Sequence, residues 1–280
     1  MINFPYHVAR AEGRIARGFY RAALPLIVRR APKPRCEIPL DVFAYSGEQA
    51  LPEQVASIRS FLQYAGKPNR FTVVSDGTYA PRSIRLLEHI HPVVRVQQFT
   101  PPPPANIVNE KVRSYLSGHP TGKQLALIMS LPANGPALYV DSDVLFFQDA
   151  SNLASLVAKR DAPAYYLADC QFAGDSRLLR DPSERERPVN TGALLLFQKL
   201  DWSLSLNRLL ELDGAPIFFT NQTMTHLTMH AIGARPLDTA KYVLQLDDQF
   251  VYRDFYADKT LAMRHYVNPV RHKFWTHFSR

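Results

Sequence analysis

Hydrophobic and polar positions along this chain follow two rhythms in turn. Short apolar, β-prone runs recur at Leu40–Tyr45, Phe71–Val74, Val93–Phe99, Leu138–Val140, Ala164–Leu167 and Ala193–Phe197. Residues such as Ser46-Gly47 and Ser75-Asp76-Gly77 close them, and each run predicts a strand. Between them the apolar positions take helical spacing. Val55, Ile58, Phe61 and Leu62 predict a helix over Pro52–Tyr64 that stops at Gly66 and Pro68. Further helices are expected over Pro81–Ile90, Asn109–Leu116, Thr121–Leu131, Leu153–Val157, Trp202–Leu212 and Asn221–His230. The β-α-β-α-β alternation from Leu40 to Phe99 argues for a parallel sheet with crossover helices. No Gly-x-Gly-x-x-Gly follows the first strand, which argues against a dinucleotide-binding fold. Pro101–Pro104 reads as a polyproline connector inside the domain, and residues 173–188 as a charged, mobile loop.

The first 36 residues differ in character. At 100° per residue, Val8, Ala11, Ile15, Phe19 and Ala22 share one helical face, and Arg10, Arg14, Arg17 and Arg21 share the opposite one. Pro25 is expected to end or kink this helix, and the run from Arg29 to Arg35 to form a stiff basic linker. Two arrangements fit: a basic helix lying on an anionic bilayer, or a helix packed on the domain with Ile15 and Phe19 buried and its arginines in water. Residues 1–36 are thus read as a basic amphipathic segment and residues 37–280 as the folded domain.

The stretch Ala137–Asp149, ALYVDSDVLFFQD, places Asp141 and Asp143 between two apolar runs. In extended chain that spacing points both carboxylates to one side. Carboxylates between core strands are costly unless paired or bound to a cation, and oxygen ligands suit Mg²⁺ and Mn²⁺. The competing reading is a solvated turn between strands.

Composition changes this picture only in part. The chain has 280 residues, 46% of them hydrophobic and 21% charged, an ordinary globular balance. A net charge of +8 favours an anionic partner, whether nucleic acid, anionic lipid or sugar nucleotide. Cys36 and Cys170 are the only cysteines, too few for a disulfide framework or a cysteine-rich zinc site. No window approaches the apolar length of a spanning helix and no signal-peptide core opens the chain, so a cytoplasmic protein is expected, peripheral at most on the inner face of a membrane.

Other constellations could carry chemistry. Asn190-Thr191-Gly192 lies just before a predicted strand, where glycine permits close backbone approach. Asn221-Gln222 opens a predicted helix, where Asn221 could simply be the N-cap. Near the C-terminus His265 sits in a basic cluster, Arg264-His265-Tyr266 followed by Asn268-Pro269 and Arg271-His272-Lys273.

The order Asp-x-Asp after a strand, Asn-x-Gly before a strand, an Asn-Gln pair and then His-Tyr-x-x-Pro-x-Arg resembles the retaining GT-A glycosyltransferases, closest to glycosyltransferase family 8, over Leu40 to Trp275. The resemblance implies the GT-A α/β fold, a mixed, mostly parallel central sheet flanked by helices. It implies a UDP-sugar donor, a glycan or lipid-linked acceptor, Mn²⁺ or Mg²⁺, and no nucleic acid. Asp141, Asp143 and His265 match the family's metal ligands. Arg271 falls where the family has a lysine on the donor diphosphate, with Lys273 competing for that role. Asn190 and Gly192 match the Asn-x-Gly by the donor sugar, Gln222 the residue facing the anomeric carbon, and Asn221 a sugar-binding aspartate. Asp169 matches another sugar-binding aspartate and Lys123 a basic residue near the donor. The departures at Asn221 and Asn268 put the identity of the sugar in doubt. Two other readings compete: a haloacid-dehalogenase-like phosphatase with Asp141 as nucleophile, and a non-catalytic sugar-nucleotide-binding protein.

Overall fold

The computed structural model describes residues 3–101, 109–132 and 134–276. From Pro102 onward the expected polyproline connector lies outside the described residues. Strands β1 (Glu37–Ser46), β2 (Lys67–Ser75), β3 (Val94–Gln98), β4 (Ala137–Val140), β6 (Ala164–Ala168), β7 (Val189–Leu196) and β8 (Arg235–Pro236) form one sheet in the order β3-β2-β1-β4-β7-β6-β8. The first four in that order run parallel; β7 is antiparallel to both β4 and β6. The remaining strands β5 (Val144–Phe146), β9 (Tyr242–Val243) and β10 (Met263–His265) form a second, three-stranded sheet in the order β5-β10-β9.

The period of two in each strand divides its side chains between two cores. Val42 and Ala44 of β1, Leu138 and Val140 of β4, and Ala193 and Leu195 of β7 face one cluster. Helices α2 (Leu51–Ser60), α3 (Pro81–Glu88) and α6 (Leu153–Lys159) cover it. Tyr139, Leu194 and Leu196 face the other, beneath α4 (Glu110–Gly118), α5 (Pro120–Met129), α7 (Ser203–Glu211) and α8 (Thr220–Ala231). The central strands are buried on both faces, which is why their sequences are continuous apolar runs rather than alternations.

Several expectations change. Val144–Phe146 is a strand, β5, as the apolar run suggested, but it does not join the sheet of β4. A turn at Ser142-Asp143 sends the chain into the second sheet, where Val144 pairs with His265. Asn190, Thr191 and Gly192 lie inside β7, not before it, at an irregularity in the β6–β7 ladder between Tyr166 and Leu167. The loop at 173–188 is pinned instead of mobile. Asp175 is buried and accepts from Thr220 Oγ1 at 2.8 Å and from the Arg177 guanidinium, and Glu184 pairs with the buried Arg208 at 2.8 Å. Charge-assisted bonds of this kind outweigh the polarity that suggested disorder.

Helix α1 (Phe4–Ile27) is longer than its sequence pattern suggested and continues through Pro25. It has three faces. Ala9, Gly13 and Leu24 are buried, with Ala16 and Tyr20 partly buried against α2 and the 3₁₀ turn Arg271–Trp275. Tyr20 packs on Trp275 at 5.0 Å between ring centroids. The arginine row borders this contact face. Ile15 (60% exposed) and Phe19 (74% exposed) point away from the domain, so the expectation that packing would bury them is corrected. Small residues take the contact face because they let the helix approach backbone to backbone: a Cβ at Gly13 would collide with the His272 carbonyl oxygen.

Candidate active site

The C-terminal end of β4 meets the bulged part of β7, the start of α8 and the segment after β10 around a cavity of about 350 Å³. The open end of a largely parallel sheet is where such folds place ligands. Asp141, Asp143, Asp169, Asn190, Asn221, Gln222, His265 and Arg271 all line it.

Asp141, Asp143 and His265 each offer a ligand atom, all within 4.8 Å of one another. The carboxylates converge through the turn at Ser142, not through an extended pleat as the sequence spacing suggested. Tyr266 N–H donates to the Asp143 carbonyl at 2.9 Å and locks the turn to β10. His265 Nε2 lies 3.0 Å from Asp143 Oδ1 and 3.7 Å from Asp141 Oδ2.

The other ring nitrogen fixes the chemistry. Asn190 Nδ2 donates to Asp169 Oδ2 at 2.9 Å, and its Oδ1 accepts from Gly192 N–H at 2.8 Å, so the amide orientation is determined. That Oδ1 is 3.0 Å from His265 Nδ1, which must therefore carry the proton. A neutral His265 then turns the Nε2 lone pair toward two carboxylates. Only a proton or a cation between them makes this favourable. Burial alone would lower the His265 pKa, but Asp143 and Asp141 raise it overall. Burial raises the Asp141 pKa to about 6. Asp143 stays well below the carboxylate range, because His265 and Arg271 together outweigh its burial. The donor set of two oxygens and one imidazole nitrogen fits a divalent cation of the Mn²⁺ type. Gly192 is required for a physical reason: a Cβ there would overlap the His265 ring.

The polar wall opposite is one connected network. Asp169 Oδ2 also accepts from Gln222 Nε2 at 3.1 Å. Asn221 is not an N-cap. The cap position is Phe219, and Asn221 Nδ2 donates to Gln124 Oε1 at 2.9 Å. Gln124 Nε2 in turn donates to Asp141 Oδ1 at 2.9 Å, beside the Tyr139 hydroxyl at 2.8 Å from the same oxygen.

Gln124 and Tyr139 were missed in the sequence, and Lys123 was chosen in their place. Lys123 does not line the cavity; its Nζ lies 5.7 Å from the centre of the Phe99 ring. One residue along a helix is a turn of about 100°, so only one of the two neighbours can face the site. Arg271 and Lys273 differ in placement. Arg271 donates to Asp143 Oδ2 at the cavity mouth. Lys273 is fully buried, and its Nζ donates to the carbonyls of Val251 and Arg253, each at 2.7 Å.

No family model matches the sequence, and no curated protein matches it. Solved structures do. A galactosyltransferase, LgtC, in complex with donor and acceptor sugar analogues, is 14% identical with a TM-score of 0.56, over 85% of this chain and 94% of that one. Mouse xyloside xylosyltransferase 1 is 14% identical with a TM-score of 0.52, over 83% of this chain and 98% of that one. The bifunctional glycosyltransferase WbbM is 14% identical with a TM-score of 0.58, over 89% of this chain and 51% of that one. The chain therefore has the GT-A fold, a mixed, mostly parallel sheet flanked by helices, as the motif order implied.

Proposed function

We propose that this chain is a metal-dependent glycosyltransferase that moves a sugar from a nucleotide-diphosphate donor to a hydroxyl acceptor. The observation that carries the reading is the convergence of His265 Nε2 with the Asp141 and Asp143 carboxylates on the wall of a cavity of about 350 Å³ in a GT-A fold. Asp141, Asp143 and His265 would hold Mn²⁺ or Mg²⁺, which supplies a positive charge for the departing diphosphate. Arg271 swings from Asp143 to a phosphate oxygen and stabilises the same charge. Asp169, Asn190 and Asn221 hold the sugar hydroxyls. Gln222 presents a neutral amide to the anomeric centre, where positive charge develops. Asp169 accepts from the Asn190 and Gln222 amides through one oxygen, Oδ2, and we read it as a sugar-binding group and not as a nucleophile. We therefore favour same-face attack by the acceptor, with retention. A phosphatase nucleophile at Asp141 is disfavoured, because its Oδ1 already accepts from Gln124 and Tyr139.

A ligand of the folded state raises apparent stability by about 2.7 kcal/mol at a hundredfold excess over Kd. A thermal-shift series with UDP-sugars is expected to show a rise that requires Mn²⁺. A series in which no nucleotide sugar shifts the transition, with or without Mn²⁺, would sink the reading. The two basic residues of the C-terminal turn separate cleanly. Arg271→Ala is expected to lower turnover about 10²–10³-fold with an unchanged melting temperature. Lys273→Ala is expected to lower the melting temperature first, since it removes the cation beneath Asp248.

The acceptor we propose is a glycan or lipid-linked hydroxyl at an anionic membrane surface. Among the described residues no helix is long and apolar enough to cross a membrane. Helix α1 instead exposes Phe4, Val8, Ile15, Phe19 and Leu26 along one side, with Arg21, Arg29 and Arg30 also exposed. Full-length protein is expected to sediment with vesicles containing phosphatidylglycerol, less so as salt is added, and far less after Ile15→Ser with Phe19→Ser. Equal sedimentation of the two proteins would end the idea.

A further inference from the structure

A second cavity of about 500 Å³ lies between α1 and the C-terminal turn. Arg10, Arg14 and Arg17 line one side and Arg271 the other. It adjoins the cavity at Asp141 and Asp143, because Asn268 and Arg271 line both. Glu53 is the one carboxylate that lines it. Arg17 spends its charge on Glu53, at 2.5 Å, and donates to the Gln49 carbonyl at 2.6 Å. Arg271 spends its charge on Asp143. Arg10 bonds only the neutral Tyr6 hydroxyl, at 3.2 Å, and lies over that ring. Arg14 has no carboxylate partner among the described residues. Two guanidinium charges therefore face the groove without an answering anion.

The arginine row is held in place, unlike a solvated helix face. Gly13 brings α1 against the His272 backbone, where a side chain would not fit, and Tyr20 packs on Trp275. Arg10, Arg14 and Arg17 stand four and three residues apart, so one helix presents all of them along one line. The diphosphate of a donor does not need them, since the cation site and Arg271 already serve it. A neutral glycan does not need them either. Guanidinium forks match the oxygens of a phosphate ester, and two of them side by side can engage its three free oxygens together.

We propose that this groove is a second anion site, and that it holds a phosphate ester carried by the acceptor, on the far side of Asn268 and Arg271 from the transfer centre. The proposal rests on the glycosyltransferase reading for the word acceptor, but not for the site. Arg10 and Arg14 grip the phosphate, and Arg17 releases Glu53 only in part to join them.

The test is a calorimetric titration of the full chain with glycerol phosphate, once alone and once saturated with UDP and Mn²⁺. Binding is expected in both, with Kd values within threefold of each other. Arg10→Gln with Arg14→Gln should weaken it at least tenfold while leaving UDP affinity within twofold. Arg10→Lys with Arg14→Lys should fall between, because charge remains but the fork is lost. Glycerol phosphate that competes with UDP means a single site and overturns the proposal, as does unchanged binding in the glutamine pair. Response to vesicles of phosphatidylglycerol alone, with none to glycerol phosphate, would assign the arginines to lipid headgroups and overturn it too. If UDP fails to bind at all, the glycosyltransferase reading falls, and the titration without nucleotide still decides the groove.

Discussion

Asp143→Ala is expected to abolish Mn²⁺-dependent donor binding and to lower turnover by about 10³-fold, the range reached when a preorganised charge partner of the transition state is removed. Asp143 is the centre of the site. It faces His265 at 3.0 Å, receives Arg271, and would share a cation with Asp141 in the proposed metal site. Removing it leaves Asp141 as the only carboxylate of the group and Arg271 with nothing to hold it at the cavity mouth. The fold should survive. Asp143 lies in a turn held by its own backbone carbonyl, and its negative charge contributes to raising the Asp141 pKa. Relief of that repulsion offsets the lost bonds, so unfolding stability is expected to change by no more than about 1 kcal/mol. Calorimetry with UDP, with and without Mn²⁺, beside a urea melt, measures both quantities. Retained Mn²⁺-dependent binding would show that the cation is held elsewhere. A collapse in stability would show that the Asp143 bonds are structural.

How much of this was legible in the sequence depends on which force placed each residue. Strand β4 and the Phe71–Ser75 half of β2 were legible because both their faces are buried, and burial leaves an uninterrupted apolar run, whereas β1 was legible from the alternation of buried and less buried positions. The Asp pair was legible because two carboxylates beside such a run demand a reason. Strand β10 was not, since Met263–His265 is too short for any periodicity; His265 stood out by its basic cluster, and the resemblance gave it a ligand role. The resemblance pointed to Lys123 and not to Gln124, whereas helix phase turns Gln124 toward the cavity. On α1 the apolar stripe was read correctly as a stripe, but packing chose the glycine and alanine face instead. Close backbone approach rewards small side chains as surely as apolar area rewards large ones. Nothing in a hydropathy pattern distinguishes the two.

The same limit applies to Arg264, which the sequence offered only as part of a basic cluster. Arg264→Met is expected to cost about 3–5 kcal/mol of stability, the range for removing one member of a buried ion network. Arg264, Asp248 and Lys273 are completely buried. The Arg264 guanidinium donates to both oxygens of Asp248, at 2.9 and 3.0 Å, and to Asp254, and lies 4.9 and 5.0 Å from the ring centres of Tyr256 and Tyr266. Two carboxylates face two cations, so the network is neutral as it stands. Methionine fills much of the volume but leaves Asp248 and Asp254 with Lys273 alone, an excess negative charge in the core. The damage should reach the active site, because Arg264 precedes His265 on β10 and the loop that it anchors packs beneath the turn carrying Arg271. Donor affinity should therefore fall along with the urea midpoint. A variant that also carries Asp248→Leu and Asp254→Asn removes the stranded charge and is expected to recover at least half of the lost stability, since an apolar replacement for a whole buried network is often neutral. If the single variant melts like the parent, water must reach the network and its burial is not what holds the C-terminal segment. If the triple variant is no better than the single one, the bonds themselves, rather than the uncompensated charge, account for the loss.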